Sequence, residues 1–86
     1  MTLYLVDEPF AKLAFAYAAN DPSARVVLLQ DGVYVARGGA FKGEVYYIGD
    51  DATRRGLAGP FPSGAHSIGF EELVTMMESE KVVNFL

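Results

Sequence analysis

Four consecutive apolar residues, Val26-Val27-Leu28-Leu29, run into a polar Gln30-Asp31-Gly32 turn, and a second apolar segment, Val33-Tyr34-Val35-Ala36, follows. A strand with one wet face alternates apolar and polar side chains. An unbroken apolar run of strand length belongs to a strand covered on both faces, as in parallel α/β sheets. The turn then sits at the carboxyl end of a central strand, where open α/β sheets place their ligands and contacts. Arg25 opens this run and Val33 resumes it.

The rest of the chain fits that frame. Leu3-Tyr4-Leu5-Val6 reads as a first strand, ended by Asp7-Glu8-Pro9, with Pro9 suited to the first turn of a helix. Phe10, Leu13, Ala14, Tyr17 and Ala18 recur at i, i+3, i+4, i+7 and i+8, an amphipathic helix stripe. Asn20-Asp21-Pro22-Ser23 stops that helix. Residues 26–29 form the second strand and residues 32–37 a short helix broken by Gly38-Gly39. Residues 44–48, rich in β-branched and aromatic side chains, form the third strand. Gly49-Asp50-Asp51 opens a helix whose Arg54 and Arg55 lie near its end, with Gly56 as the C′ residue. Gly59-Pro60-Phe61-Pro62-Ser63-Gly64 is a loop by composition, and His66-Ser67-Ile68 a short fourth strand. Phe70, Leu73, Val74 and Met77 give another helical stripe, and residues 82–86 a fifth strand. Strands alternating with helices predict a three-layer α/β/α domain: a mainly parallel sheet of four to five strands with helices on both faces. The 86 residues allow one domain, residues 1–86.

Composition narrows the function. The net charge is −4, so the basic footprint that phosphate binding needs is missing, and no direct nucleic-acid contact is expected. There is no cysteine and one histidine, which excludes disulfides and thiolate metal sites and leaves no metal set to expect. No basic, apolar leader opens the sequence and no run approaches the ~18 apolar residues of a membrane helix. A cytoplasmic protein without a membrane partner is therefore expected. The apolar fraction of 51% is high for so thin a domain and points to self-association or a protein partner.

Chemistry-bearing residues are few. Asp31 has two readings: a carboxylate at a strand end that orients a ligand or partner, or the N-cap of the short helix that follows, with Gly32 letting the backbone turn tightly. Asp50 and Asp51 are adjacent and do not face each other on a helix, so they read as caps rather than as an acid–base dyad. Asp51 and Arg55, spaced i, i+4, are expected to pair. His66 lacks a nucleophile to serve, since no nucleophile elbow surrounds Ser63 or Ser67. The glycines of residues 38–43 do not spell a nucleotide loop. No catalytic residue and no cofactor are expected, and the chain is not read as an enzyme. Tyr34, Tyr46 and Tyr47 are interface candidates, because tyrosine packs its ring while its hydroxyl stays wet.

Leu28-Leu29-Gln30-Asp31-Gly32-Val33 resembles the strand-and-turn motif of the DsrH/TusB sulfur-relay subunits. Val45-Tyr46-Tyr47-Ile48, with Asp51 and then Arg55-Gly56-Leu57, resembles that family's second block. Ile68, Phe70 and Val74 resemble its third, and Leu3-Tyr4-Leu5-Val6 its opening. The resemblance implies a DsrE-like fold and a place in a DsrEFH- or TusBCD-like hetero-oligomer, beside DsrE/TusD-like and DsrF/TusC-like subunits. In such complexes sulfur travels as a cysteine persulfide, toward 2-thiolation of the tRNA wobble uridine in the Tus version and in sulfur oxidation in the Dsr version. Some DsrH members carry a cysteine; this chain has none and departs from them. The expected function is that of a non-catalytic relay subunit. The alternative is a homo-oligomeric small-ligand-binding module of the same fold, with Asp31 and Gly32 at its crevice.

Overall fold

The computed structural model describes residues 2–37, 43–61 and 63–86. Five strands, β1 (Thr2–Val6), β2 (Ala24–Leu28), β3 (Glu44–Ile48), β4 (His66–Ile68) and β5 (Lys81–Phe85), form one sheet in the order β4-β3-β2-β1-β5. Every neighbouring pair is parallel, with Val6 beside Leu28 and Phe85, Leu28 beside Tyr47, and Ile48 beside Ile68. The helices are α1 (Ala11–Ala18), α2 (Gly49–Arg54) and α3 (Phe70–Ser79), with 3₁₀ segments at Glu8–Phe10 and Gln30–Arg37. The α/β/α expectation holds, and so does the short helix after the second strand, although it winds as 3₁₀. Its ending at Gly38-Gly39 lies outside the described residues.

The layers follow from connection handedness. From β1 to β4 the chain steps one strand at a time in one direction, so right-handed crossovers put α1, the 3₁₀ segment and α2 on one face. The return from β4 to the far edge at β5 carries α3 over the other. The core divides accordingly. Tyr4, Val6, Val26, Leu28, Val45 and Tyr47 meet Ala11, Ala14, Val33, Ala36 and Ala52 on the first face. Leu3, Leu5, Val27, Leu29, Ile48 and Ile68 meet Leu73 on the second. Odd and even residues of β1 go to opposite cores, which is why Leu3-Tyr4-Leu5-Val6 shows no alternation.

Two helix stripes sit differently from their expected faces. α1 turns Ala11 and Ala14 to the sheet, with Phe15 and Ala18 half-buried, and leaves Phe10, Leu13 and Tyr17 exposed. Alanine is the smaller knob, and it lets the helix approach β1 and β2 closely. Around α3, Leu73 is buried, whereas Phe70, Val74 and Met77 face outward. The C-terminus of α2 is as expected. Gly56 has φ +70°, Leu57 N–H donates to the Ala52 carbonyl at 2.9 Å, and Gly56 N–H donates to Thr53 at 3.1 Å. This is a Schellman closure.

Candidate functional site

The turn after β2 is tightly constrained. Gln30 adopts φ +52°, a left-handed conformation uncommon for a residue with a side chain. Its N–H donates to Asp51 Oδ2 at 2.8 Å. Asp51 is 3% exposed, the one buried charged residue among those described. Its other oxygen accepts from Arg54 Nη1 at 2.8 Å. Gly32 N–H donates to the Leu29 carbonyl at 2.9 Å, and Leu29 N–H donates to the Val6 carbonyl at 3.1 Å. A Cβ on Gly32 would collide with that Val6 oxygen and stand 3.2 Å from Asp7 Cα. Gly32 is thus required by close approach of two backbones, while the left-handed residue of the turn is Gln30.

Asp31 is not a cap. The 3₁₀ segment begins one residue earlier, so Asp31 lies inside its first turn, and its carboxylate accepts from Arg55 Nε at 2.8 Å. This contact holds the Arg55 guanidinium above its ordinary pKa. The expected Asp51–Arg55 side-chain pair gives way to Asp51–Arg54 at i, i+3. α2 stops at Arg54, and Arg55 has already left helical geometry with φ −101° and ψ 9°, so its side chain swings toward Asp31. Its Nη1 still donates to the Asp51 carbonyl at 3.0 Å. Asp50 and Asp51 are not N-caps either. β3 runs straight into α2 with Ile48 at the N-cap, which places both acids in the first turn.

The tyrosines separate. Tyr34 is 38% exposed on the 3₁₀ segment. Tyr47 is 7% exposed and belongs to the core, its ring edge-on to Phe61 at 5.0 Å. Tyr46 is half-buried within a polar cluster at the amino end of the sheet. There Arg25 donates to Glu44 (2.7 Å), Glu80 (3.1 Å) and the Tyr46 hydroxyl (3.1 Å), and Tyr46 donates to Glu44 at 3.0 Å. The guanidinium also lies 5.3 Å from the Tyr46 ring centroid. The Arg25 hydrogen bond, then that of Tyr46, lowers the Glu44 carboxyl below its ordinary pKa. Arg25 itself is raised, by Tyr46 and then Glu44. His66 is exposed beside Tyr46, ring centroids 6.0 Å apart. This cluster was not singled out in the sequence. Its signal was the placement of Arg25 and Glu44 near the starts of adjacent strands, with residues 44 and 46 sharing a face.

Ser63 Oγ donates to the Ala36 carbonyl at 2.6 Å. Among the described residues no three His, Asp or Glu side chains gather as a metal set would, and no helix is long and apolar enough to cross a membrane.

Fold and site together define a small parallel α/β/α domain whose central strand ends in a turn locked by a carboxylate from the next helix. The crystal structure of the YchN protein from E. coli is similar to it, with a TM-score of 0.76 and 18% sequence identity over 98% of this chain and 97% of that one. At that identity the likeness is one of fold. No family profile matches the chain, and no curated protein is significantly similar in sequence.

Proposed function

We propose that this chain is a non-catalytic subunit of a sulfur-relay assembly of the DsrEFH or TusBCD kind, working in the cytoplasm beside DsrE/TusD-like and DsrF/TusC-like subunits and supporting transfer such as 2-thiolation of the tRNA wobble uridine. One observation carries the reading. The first two sequence blocks that resemble the DsrH/TusB family meet in space: Gln30 and Asp31 of the first are bound by Asp51 and Arg55 of the second. Residues that resemble a family motif thus act as one structural unit, inside a fold shared over nearly the full chain with YchN.

Relay chemistry needs a thiolate that attacks the outer sulfur of a persulfide and releases the donor thiolate. This chain has no cysteine, and its methionines offer only thioethers, so the thiol belongs to a partner. The subunit's part is to hold the assembly together. The test is incubation with a radiolabelled persulfide donor, followed by denaturation without reductant. No label is expected on this polypeptide, and stoichiometric label would overturn the assignment. Affinity capture from the native host is expected to return cysteine-bearing subunits of related fold. Removing this subunit is expected to lower transfer by loosening the assembly.

A further inference from the structure

The two edges of the sheet differ. β4 is three residues long, and its His66 and Ser67 are exposed. β5 runs for five residues, Lys81-Val82-Val83-Asn84-Phe85, with no proline and, beyond Lys81, no charge. Its register with β1 contains no bulge. Charge, proline, bulges or a covering segment normally blunt such an edge. Among the described residues no strand pairs with the far side of β5. Asp7 N–H donates to the Phe85 carbonyl at 2.9 Å, so the main chain of Phe85 faces β1. The two-residue repeat turns Val83 the same way and aims the N–H and C=O of Val82 and Asn84 outward.

Apolar side chains flank this edge on both faces of the sheet. Right-handed crossovers and right-handed helices decide which way each flank leans. On α1 the flank of Leu13 and Tyr17 leans toward β5. Tyr17 is 59% exposed, and its ring lies 5.8 Å from that of Phe85. On α3, with Leu73 on the sheet, the exposed Phe70, Val74 and Met77 lean toward the same edge from the other face. The occupant that satisfies the free main chain and covers both flanks is an extended strand with apolar side chains on both of its faces. Glu71 and Glu78 border the α3 flank, and α3 has no basic residue. Lysine or arginine beside the apolar run therefore suits the site, and carboxylate does not.

A second copy of this chain fits less well. α1 lies over β1 and β2. Two copies joined through β5 would hold their α1 axes four strand spacings apart, ~19 Å, about twice the distance at which helices pack. The flanks would stay bare. A lone segment brings no helix of its own and fills the flanks with its side chains. We propose that the outer edge of β5 is a strand-addition site for an extended apolar segment of a partner protein, bordered by basic residues. A contact of one strand lies at the small end of interfaces, so binding is reversible.

The probe is a short capped peptide of alternating valine and leucine with a lysine at each end. In hydrogen exchange of the free chain, the Val82 and Asn84 amides are expected to exchange fast and those of Val83 and Phe85 slowly. Bound peptide should slow Val82 and Asn84 at least ~10-fold. A proline at the centre of the peptide should abolish binding, and glutamates in place of its lysines should weaken it at low salt. Asn84→Pro removes an outward N–H, leaves the β1 ladder whole, and should weaken binding at least ~10-fold with unchanged circular dichroism. Val74→Glu tests the α3 flank without touching the sheet and should weaken binding as well. No binding of the peptide, binding that leaves the Val82 and Asn84 amides unprotected, or equal affinity for the proline-centred peptide would overturn the inference. So would protection of both amides by self-association in the absence of peptide. Persulfide transfer enters none of these readouts, so the relay reading stands or falls separately.

Discussion

The buried carboxylate of Asp51 accepts the backbone N–H of Gln30, 21 residues earlier, at 2.8 Å. This contact ties the turn after β2 to the first turn of α2, and so joins two sheet connections that have no shared strand end. Asp51→Ala leaves that N–H without its acceptor and is expected to cost about 1–3 kcal/mol. Asp51→Asn keeps a carbonyl oxygen for Gln30 and is expected to lose less. The Arg54 pair contributes little to the difference, because Arg54 lies on the surface. Urea unfolding of the two variants measures this; equal midpoints would show that the Gln30 bond carries no weight.

Gly32 and Asp31 are neighbours with opposite sensitivities. Gly32→Ala puts a methyl group into the Val6 carbonyl, and the 3₁₀ segment must move off the end of β1 to admit it. A loss of several kcal/mol is expected, of the kind that strained packing produces. Asp31→Asn removes only a surface ion pair with Arg55, worth up to ~1 kcal/mol. Thermal unfolding of the two proteins side by side decides it. The same unfolding temperature for both would remove the close-approach role of Gly32.

Much of this fold was legible because the parallel sheet writes itself plainly. The unbroken apolar runs at residues 3–6 and 26–28 lie in β1 and β2, which are covered on both sides, and Leu29 continues the second run just past the strand. What was not legible depended on which of two apolar faces of a helix wins. In α1 both 10/13/17 and 11/14/15/18 are apolar, and only tertiary packing chooses the alanines for the sheet. The site was half legible. Asp31 and Gly32 were found, but Asp31 was read as a cap and Asp51 was paired with Arg55. Asp51 reaches Gln30 and Arg55 reaches Asp31 across 21 and 24 residues, and local i, i+4 reasoning sees only the near alternative. Tyr47 shows the same limit from the other side. A tyrosine in a strand suits core and interface equally, and register alone turns it inward.

Gln30 bears a left-handed conformation with a side chain attached. For an L-residue this costs roughly 1–2 kcal/mol, least for residues that carry no Cβ branch. Gln30→Gly relieves the strain while loosening the unfolded chain, and the two effects nearly cancel, so stability is expected to hold within about 1 kcal/mol. Gln30→Val adds a branched Cβ at the same φ and is expected to lose more than the glycine variant. Chemical denaturation of the pair checks the ordering. A valine variant as stable as the glycine variant would mean that the turn relaxes out of the left-handed region.

The Arg25 cluster makes stability depend on pH in a direction that can be worked out. Arg25 and Tyr46 hold the Glu44 carboxyl below its ordinary pKa in the folded chain, near ~4.3 when unfolded. The unfolded state therefore binds more protons at acid pH, and stability rises with pH in that range. The Glu44 contribution is fully present above the unfolded value and is lost as pH falls through the lower folded one. Arg25→Met should flatten this acid-side slope. It should also lower stability at neutral pH by about 1–3 kcal/mol, because the Glu80 side chain, 5% exposed, loses the guanidinium it accepts from at 3.1 Å. Its other oxygen already has no hydrogen-bond partner among the described residues. Adding Glu80→Gln to Arg25→Met should recover part of the neutral-pH loss, since an amide is cheaper to bury than an unpaired carboxylate. Urea midpoints from acid to neutral pH for wild type, Arg25→Met and the double variant measure both effects. An unchanged acid slope in Arg25→Met would sink the Glu44 linkage, and no recovery in the double variant would sink the role given to Glu80.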